Sequence, residues 1–335
     1  MSFSGFARAA SQGTFSLQVT PSPLVLSVKP GETQQTELKI RNNGDKPEHL
    51  KIEPKSFNLN GDSGEITLSD NAPTDIADWV HFANPTFTIA PGEWFTEQIT
   101  ISLPKSAGFS YTFALIISRS NDTTTVKPGE SALKGSVAVF TLISVDRPDA
   151  KKQLEVTEFQ ASQKVYEYLP ASLKVTFKNT GNTIVQPYGN IFIQRNGSSS
   201  APISTLPVNE GHGYILPGST RSLSTEWTNG FPVYKTAQSA ANVTGKKQLV
   251  WDWSQASNFR FGRYTAKLVA VYNDGHRDVP LEAQTTFWVI PWKLLAGVGL
   301  LLLIVIIGIS TVLKKGFIVI KKTKKTHDAH KQQDN

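Results

Sequence analysis

The 335-residue chain contains no cysteine. That absence excludes disulfides, thiol catalysis, cysteine-ligated zinc and thiol redox sensing. Small exported domains often depend on disulfides, but this chain is long enough to build cores without them. A large cysteine-free exported chain fits a bacterial surface better than an animal one. Amphipathic helices are lacking before residue 290, apart from a turn expected at Thr74 to Trp79. Catalytic signatures are lacking too. His49, His81, His212 and His276 show no metal-ligand spacing on one regular element, His327 and His330 fall in a solvated tail, and no G-x-S-x-G elbow occurs. Asp62-Ser63-Gly64-Glu65 with Asp70-Asn71 could offer oxygens to calcium, but reads first as a solvated hairpin loop. The sequons at Asn121, Asn196 and Asn242 mark polar loops. The expectation is a binding protein, not an enzyme, with no metal and no cofactor.

Excess charge is also missing from most of the chain. Residues 291–335 hold eight lysines against two aspartates, and Arg8 adds one more positive charge. Residues 11–290 then balance, with 25 basic and 25 acidic side chains. No basic face is left over for phosphates, so a nucleic-acid partner is not expected.

One long apolar run is present. Leu294 to Leu313 is uncharged and is followed at once by Lys314 and Lys315. As a helix it would extend about 30 Å, the thickness of a bilayer core. Trp292 stands where interfacial aromatics belong, as does Trp288, and Lys293 can snorkel beside them. The positive-inside rule places the lysine-rich tail in the cytoplasm and residues before Pro291 outside a bacterial cell membrane, crossed once. Residues 1–13 read as the remnant of a signal peptide and leader, with Ala7-Arg8-Ala9 resembling a cleavage end and the apolar part encoded upstream.

Between these ends the chain reads as strands. In Thr36 to Arg41, Leu38 and Ile40 alternate with Glu37, Lys39 and Arg41, the pattern of a half-buried antiparallel strand. Leu17 to Thr20, Leu24 to Val28 and Leu50 to Pro54 are similar, while Tyr111 to Ser118 and Ser136 to Val145 suit the centre of a sheet. Short strands separated by turn residues predict an all-β fold, two tandem immunoglobulin-like β-sandwiches followed by one transmembrane helix. The expected division is 14–147 for the first sandwich, 148–152 for a polar linker, 153–290 for the second, 291–313 for the helix and 314–335 for the basic tail. LKIRNNGD and VTFKNTGN, one in each half, align by eye and predict the same hairpin twice, each closed by a positive-φ turn.

Asn229 to Arg260 is a long connection dense in aromatic residues. Phe231, Tyr234, Trp251, Trp253 and Phe259 in it form the candidate partner-binding set, since exposed aromatics stack on sugars or anchor protein partners. The competing reading is that Trp251 and Trp253 alternate along a strand and pack on the sandwich.

The segments VTPSPLVLSVKPGETQQTELKIRNNGDKPEHLKI and DIADWVHFANPTFTIAPGEWFTEQITISLPKSAGFSYTFALIIS resemble the Gram-positive surface proteins that pair with WxL-domain proteins, the DUF916-like group. FKNTGNTIVQPYGNIFI and WDWSQASNFRFGRYTAKLVAVY in the second half resemble uncharacterised membrane-anchored paralogues. The resemblance implies an immunoglobulin-like or chaperone-like ectodomain, a C-terminal transmembrane anchor, and attachment to a cell-wall polymer or to another surface protein. Trp251-Asp252-Trp253 is not itself a WxL motif. Two functions follow as expectations. One is a membrane-anchored tethering protein of the cell envelope. The other is an assembly factor resembling the pilus chaperones, whose sandwiches lend a strand to a client.

Overall fold

The computed structural model describes residues 15–59, 66–69, 73, 76–120, 135–196, 201–236 and 247–331, with side chains described as far as 313. The first eleven strands are β1 (Leu17–Thr20), β2 (Leu24–Val28), β3 (Thr33–Asn42), β4 (Glu48–Lys55), β5 (Phe57–Leu59), β6 (Ile66–Leu68), β7 (Val80–Phe82), β8 (Thr86–Ile89), β9 (Trp94–Ser102), β10 (Ser110–Arg119) and β11 (Ser136–Val145). They form two facing sheets, in order β1-β3-β9-β7 and β2-β11-β10-β4-β8, with β5-β6 a separate hairpin. Alternation explains the layering. Leu38 and Ile40 of β3 and Phe113, Leu115 and Ile117 of β10 point inward and are fully buried. Burying each such side chain contributes about 1.5–3 kcal/mol relative to exposure.

The next ten strands are β12 (Leu154–Ala161), β13 (Val165–Tyr166), β14 (Ala171–Asn179), β15 (Tyr188–Arg195), β16 (Ser204–Val208), β17 (Thr220–Trp227), β18 (Val233–Thr236), β19 (Lys247–Val250), β20 (Gly262–Asn273) and β21 (Asp278–Val289). Their sheets run β12-β14-β17 and β13-β21-β20-β15-β16, with β18-β19 a separate hairpin. Phe177, Ile191, Ile193, Trp227 and Phe287 fill a second core.

The two sandwiches share one plan. In each, the first segment pairs antiparallel in one sheet (β1 with β3, β12 with β14), and the next pairs parallel with the last strand of the other sheet (β2 with β11, β13 with β21). This is an immunoglobulin-like arrangement of two antiparallel sheets stitched by a strand that changes sheet.

The repeated Asn-Gly segments sit at matching corners, but they do not close hairpins. β3 and β4 lie in different sheets, as do β14 and β15, so the chain crosses the sandwich there. The Asn42 amide nitrogen donates to the carbonyls of Lys46 (2.7 Å) and Ile89 (3.1 Å), while its oxygen accepts from the Gly44 N–H (2.9 Å). Asn179 repeats this with Thr183 (2.8 Å), Ile215 (2.9 Å) and Gly181 (2.9 Å). The positive-φ residues are Gly92 and Gly218, in the facing Pro-Gly turns, whose N–H groups donate to the carbonyls of Asn42 and Asn179. A buried amide thus satisfies backbone groups that a sheet corner would otherwise orphan.

The segment between the two cores is hydrogen-bonded at both ends. Arg147 donates to the Ala107 carbonyl (2.6 Å) and lies over the Phe109 ring. The Asn182 side chain accepts from the Lys151 N–H (2.6 Å) and donates to the Asp149 carbonyl (3.2 Å). A Cβ on Gly181 would stand 2.2 Å from the Lys151 carbonyl oxygen, so this approach requires glycine.

Among the described residues one α-helix, α1 (Trp292–Lys331), is present, and it follows β21 after Pro291. Its Trp292–Leu313 part is long and apolar enough to cross a membrane, with mean hydropathy 2.7 and none of it buried against the sandwiches. The helix continues through the basic segment as far as Lys331.

Candidate functional site

Two surfaces stand out. The first is the aromatic connection, which is more ordered than a loop. Hairpin β18-β19 leads into Trp251 and then a 3-10 helix, Trp253–Asn258. Asp252 caps that helix, accepting from the Ser254 N–H (3.1 Å) and hydroxyl (2.6 Å). These hydrogen bonds, with Lys235 nearby, hold the Asp252 carboxyl below the usual carboxylate range. Trp251 and Trp253 do not alternate along a strand, because the 3-10 turn begins between them. Their rings stack at 5.9 Å instead.

Phe231 is buried beneath them, its ring 5.6 Å from that of Trp251 and 5.2 Å from that of Trp253. It supports the pair rather than offering a surface of its own. Tyr234 joins through Tyr168, whose ring lies 6.1 Å from that of Tyr234 and 6.4 Å from that of Trp251. Phe259 is exposed and meets Phe231 through a backbone bridge. The five residues therefore gather in one place, with Trp253 the most open at 72% exposure.

Sequence reading missed Glu167 and Tyr168, which lie far upstream of the other five in the chain. The Glu167 carboxylate accepts from the Tyr234 hydroxyl (3.3 Å) and from Lys293 Nζ (2.7 Å). Burial first and the Glu167 charge second hold the Tyr168 and Tyr234 hydroxyls protonated above their ordinary range. Lys293 lies in the first turn of α1, beside the Trp292 ring. Of the other expected anchor residues, Leu294 and Leu313 are exposed along α1, while the side chains of Lys314 and Lys315 lie outside the described ones.

The second surface is the outer edge of β11. β2 pairs with it only over Thr141–Val145. Among the described residues, nothing pairs with the outer side of Ser136–Phe140. That open half reads Ser-Val-Ala-Val-Phe, with neither charge nor proline. Its core face is anchored by Val139, and on the other face Phe140 meets Phe57 of β5 edge to face at 5.1 Å. The buried hydroxyls of Ser136 and Thr141 lack hydrogen-bond partners among the described residues.

Among the described residues no three His, Asp or Glu side chains are grouped to hold a metal. The Asp62–Glu65 and Asp70-Asn71 candidates lie outside the described residues, as do Asn121 and Asn242 of the sequons.

No family model and no curated protein matches the chain. Solved structures do. The chaperone–tip adhesion subunit pre-assembly complex of the archaic Csu pili of Acinetobacter baumannii is 14% identical, with a TM-score of 0.38 over 80% of this chain and 97% of that one. The class 5 fimbriae chaperone CfaA is 13% identical, with a TM-score of 0.36 over 81% and 99%. The YadV chaperone is 11% identical, with a TM-score of 0.35 over 81% and 99%. Likenesses this distant carry no functional argument, and the immunoglobulin-like fold rests on the strand pairing described above.

Proposed function

We propose that this chain is a membrane-anchored extracytoplasmic binding protein that engages another surface protein by adding an extended segment of it to the β11 edge at Ser136–Phe140. The β11 edge, half open among the described residues and without charge or proline in its own run, carries this reading. Strand addition needs free backbone N–H and C=O groups in a row and pockets for alternate side chains. An uncharged run without proline, rimmed by the β5-β6 hairpin, supplies the first and supports the second. In this reading α1 crosses the membrane, with the sandwiches outside and the lysine-rich end inside. A surface protein is preferred to a wall polymer as the ligand, because an edge of this kind recognises polypeptide backbone.

The same edge favours a second reading, an assembly factor that lends a strand to a client and then releases it. A photo-crosslinking residue at Ala138 in the full-length chain, in its native membrane, tests both. The expected result is a cross-link to an extended segment of a surface protein, abolished by Val137→Lys, with no product from the same probe at Ala283 of β21. A cross-link that persists identifies a tether. One that decays in a pulse-chase as the client assembles identifies an assembly factor. Equal cross-linking at Ala283 and Ala138 overturns edge capture.

A further inference from the structure

We infer that the aromatic face of the second sandwich rests on the headgroup layer of the membrane, as a second lipid contact beside the helix. The inference relies on α1 being the membrane span. Lys293, in the first turn of α1, is ion-paired to Glu167, and Glu167 accepts the Tyr234 hydroxyl. Tyr168, next in sequence, is in ring contact with Trp251, which stacks on Trp253. The exposed rings are thus tied by successive contacts to the start of the helix. Trp288, just before it, is also exposed, as are Phe259 and Phe261. Tryptophan suits the interfacial zone, where an apolar ring meets lipid and its N–H meets water.

The charges around this face fit an anionic surface. Lys164, Lys235, Lys247 and Arg263 are exposed around it, and none of them forms an ion pair among the described residues. The opposing carboxylates are Asp252, which caps the 3-10 turn, and Glu167, which is already paired with Lys293. Anionic headgroups attract such lysines near the surface. A buried patch against a protein partner would instead need its basic rim neutralised by that partner.

Because the chain has no cysteine, single spin labels can be placed cleanly. The full-length protein would be reconstituted in vesicles of phosphatidylcholine and phosphatidylglycerol with one label at Ser257→Cys, Ser310→Cys or Thr86→Cys. Accessibility to oxygen and to a polar nickel complex reads depth. The expected result is a label at 310 inside the hydrocarbon, one at 257 at the headgroup level, and one at 86 in water. Adding Trp253→Glu to the 257-labelled protein should raise its nickel accessibility several-fold, and pure phosphatidylcholine should do so to a smaller extent. If 310 lies in hydrocarbon while 257 is as wet as 86, the inference fails and the aromatics are left for a soluble partner. If 310 is not in hydrocarbon, the span fails and takes the inference with it.

Discussion

The two sandwiches share a plan, yet they treat the edge of their last strand in opposite ways. β21 is paired with β13 at just two positions, Trp288 and Val289, and among the described residues the long stretch from Asp278 onward has no hydrogen-bonded strand on its outer side, although β12 of the facing sheet passes close beside it. Asp278, Pro280 and Glu282 lie along that stretch, and charge and proline are the usual means by which an exposed edge refuses a foreign strand. β11 is covered over five residues, and its shorter open part carries none of these guards. On the proposed reading, one topology serves as a spacer in one sandwich and as a receptor for polypeptide in the other. The choice is made by a few residues on one strand.

Ion pairing differs between the sandwiches in the same way, and it gives the largest expected effect. Glu48 of β4 is almost fully buried and receives two bonds from Arg119 of β10, at 2.6 and 2.7 Å. Arg119→Met should destabilise the first sandwich by about 3–5 kcal/mol by leaving a buried carboxylate unpaired. Lys267–Glu282, the exposed cross-strand pair of the second, should lose no more than about 1 kcal/mol in Lys267→Met. Denaturant titration of the full-length protein in detergent reads both, and equal losses would break the contrast.

The corner asparagines should behave alike. Asn42→Ala and Asn179→Ala each orphan two carbonyls and one N–H, and each should cost about 2–3 kcal/mol in the same titration. A large loss at one and none at the other would show that the corners only look equivalent.

The edges themselves can be exchanged. Pro280→Val with Glu282→Val should remove the guard from β21, and the full-length protein should then self-associate on sizing in detergent while the parent stays as it was. Little change in fold stability is expected, no more than about 1 kcal/mol, because both positions are surface sites and only the exposed Lys267–Glu282 pair is lost.

The smallest effect concerns Glu97. It faces Leu38 across β3-β9, where the matching pair in β14-β17 is Val175 with Leu223, so a carboxyl stands where its counterpart sandwich has an apolar side chain. One oxygen accepts from the Asn84 N–H (2.7 Å), while the other is buried without a partner among the described residues. Burial raises its pKa above the ordinary value of 4.5. The folded state thus holds this proton more tightly than the unfolded chain. Its stabilising contribution is complete below the ordinary carboxylate pKa and is lost as pH rises through the folded value. Glu97→Gln keeps an acceptor for Asn84 and needs no proton. It should raise the melting midpoint at pH 8 and leave it unchanged at pH 4.

Strand content was legible because alternation is local. Leu38 and Ile40 against Glu37 and Lys39 suffice to place β3, and Leu17–Thr20, Leu24–Val28 and Ser136–Val145 match their strands end to end. The apolar helix was legible for the same reason. The corners were half legible. Asn-x-Gly marks a change of direction, but Asn42 answers to Ile89 and Asn179 to Ile215, partners 47 and 36 residues away that no local pattern reveals. The Pro-Gly turns that follow both isoleucines, Ile89-Ala90-Pro91-Gly92 and Ile215-Leu216-Pro217-Gly218, carried that signal. In the aromatic site, composition identified the rings but not their support. Glu167 and Tyr168 join only because β13 and hairpin β18-β19 meet in space. The open edge of β11 could not be read at all, since an edge is defined by which strand fails to cover it.

The short parallel junction between β13 and β21 has a mechanical meaning. The chain enters the second sandwich just before β12 and β13, and leaves it from the end of β21 into α1. A load carried from a captured ligand down to the anchor would pull these two parallel segments in opposite directions along their length. The Val165 and Tyr166 pairings, with the Trp288 N–H on the Lys164 carbonyl (2.9 Å) and the Ile290 N–H on the Tyr166 carbonyl (2.8 Å), would be strained together in shear, not peeled one at a time. If α1 is the anchor proposed above, the load on it passes through a clasp of this kind, next to the point where the helix begins.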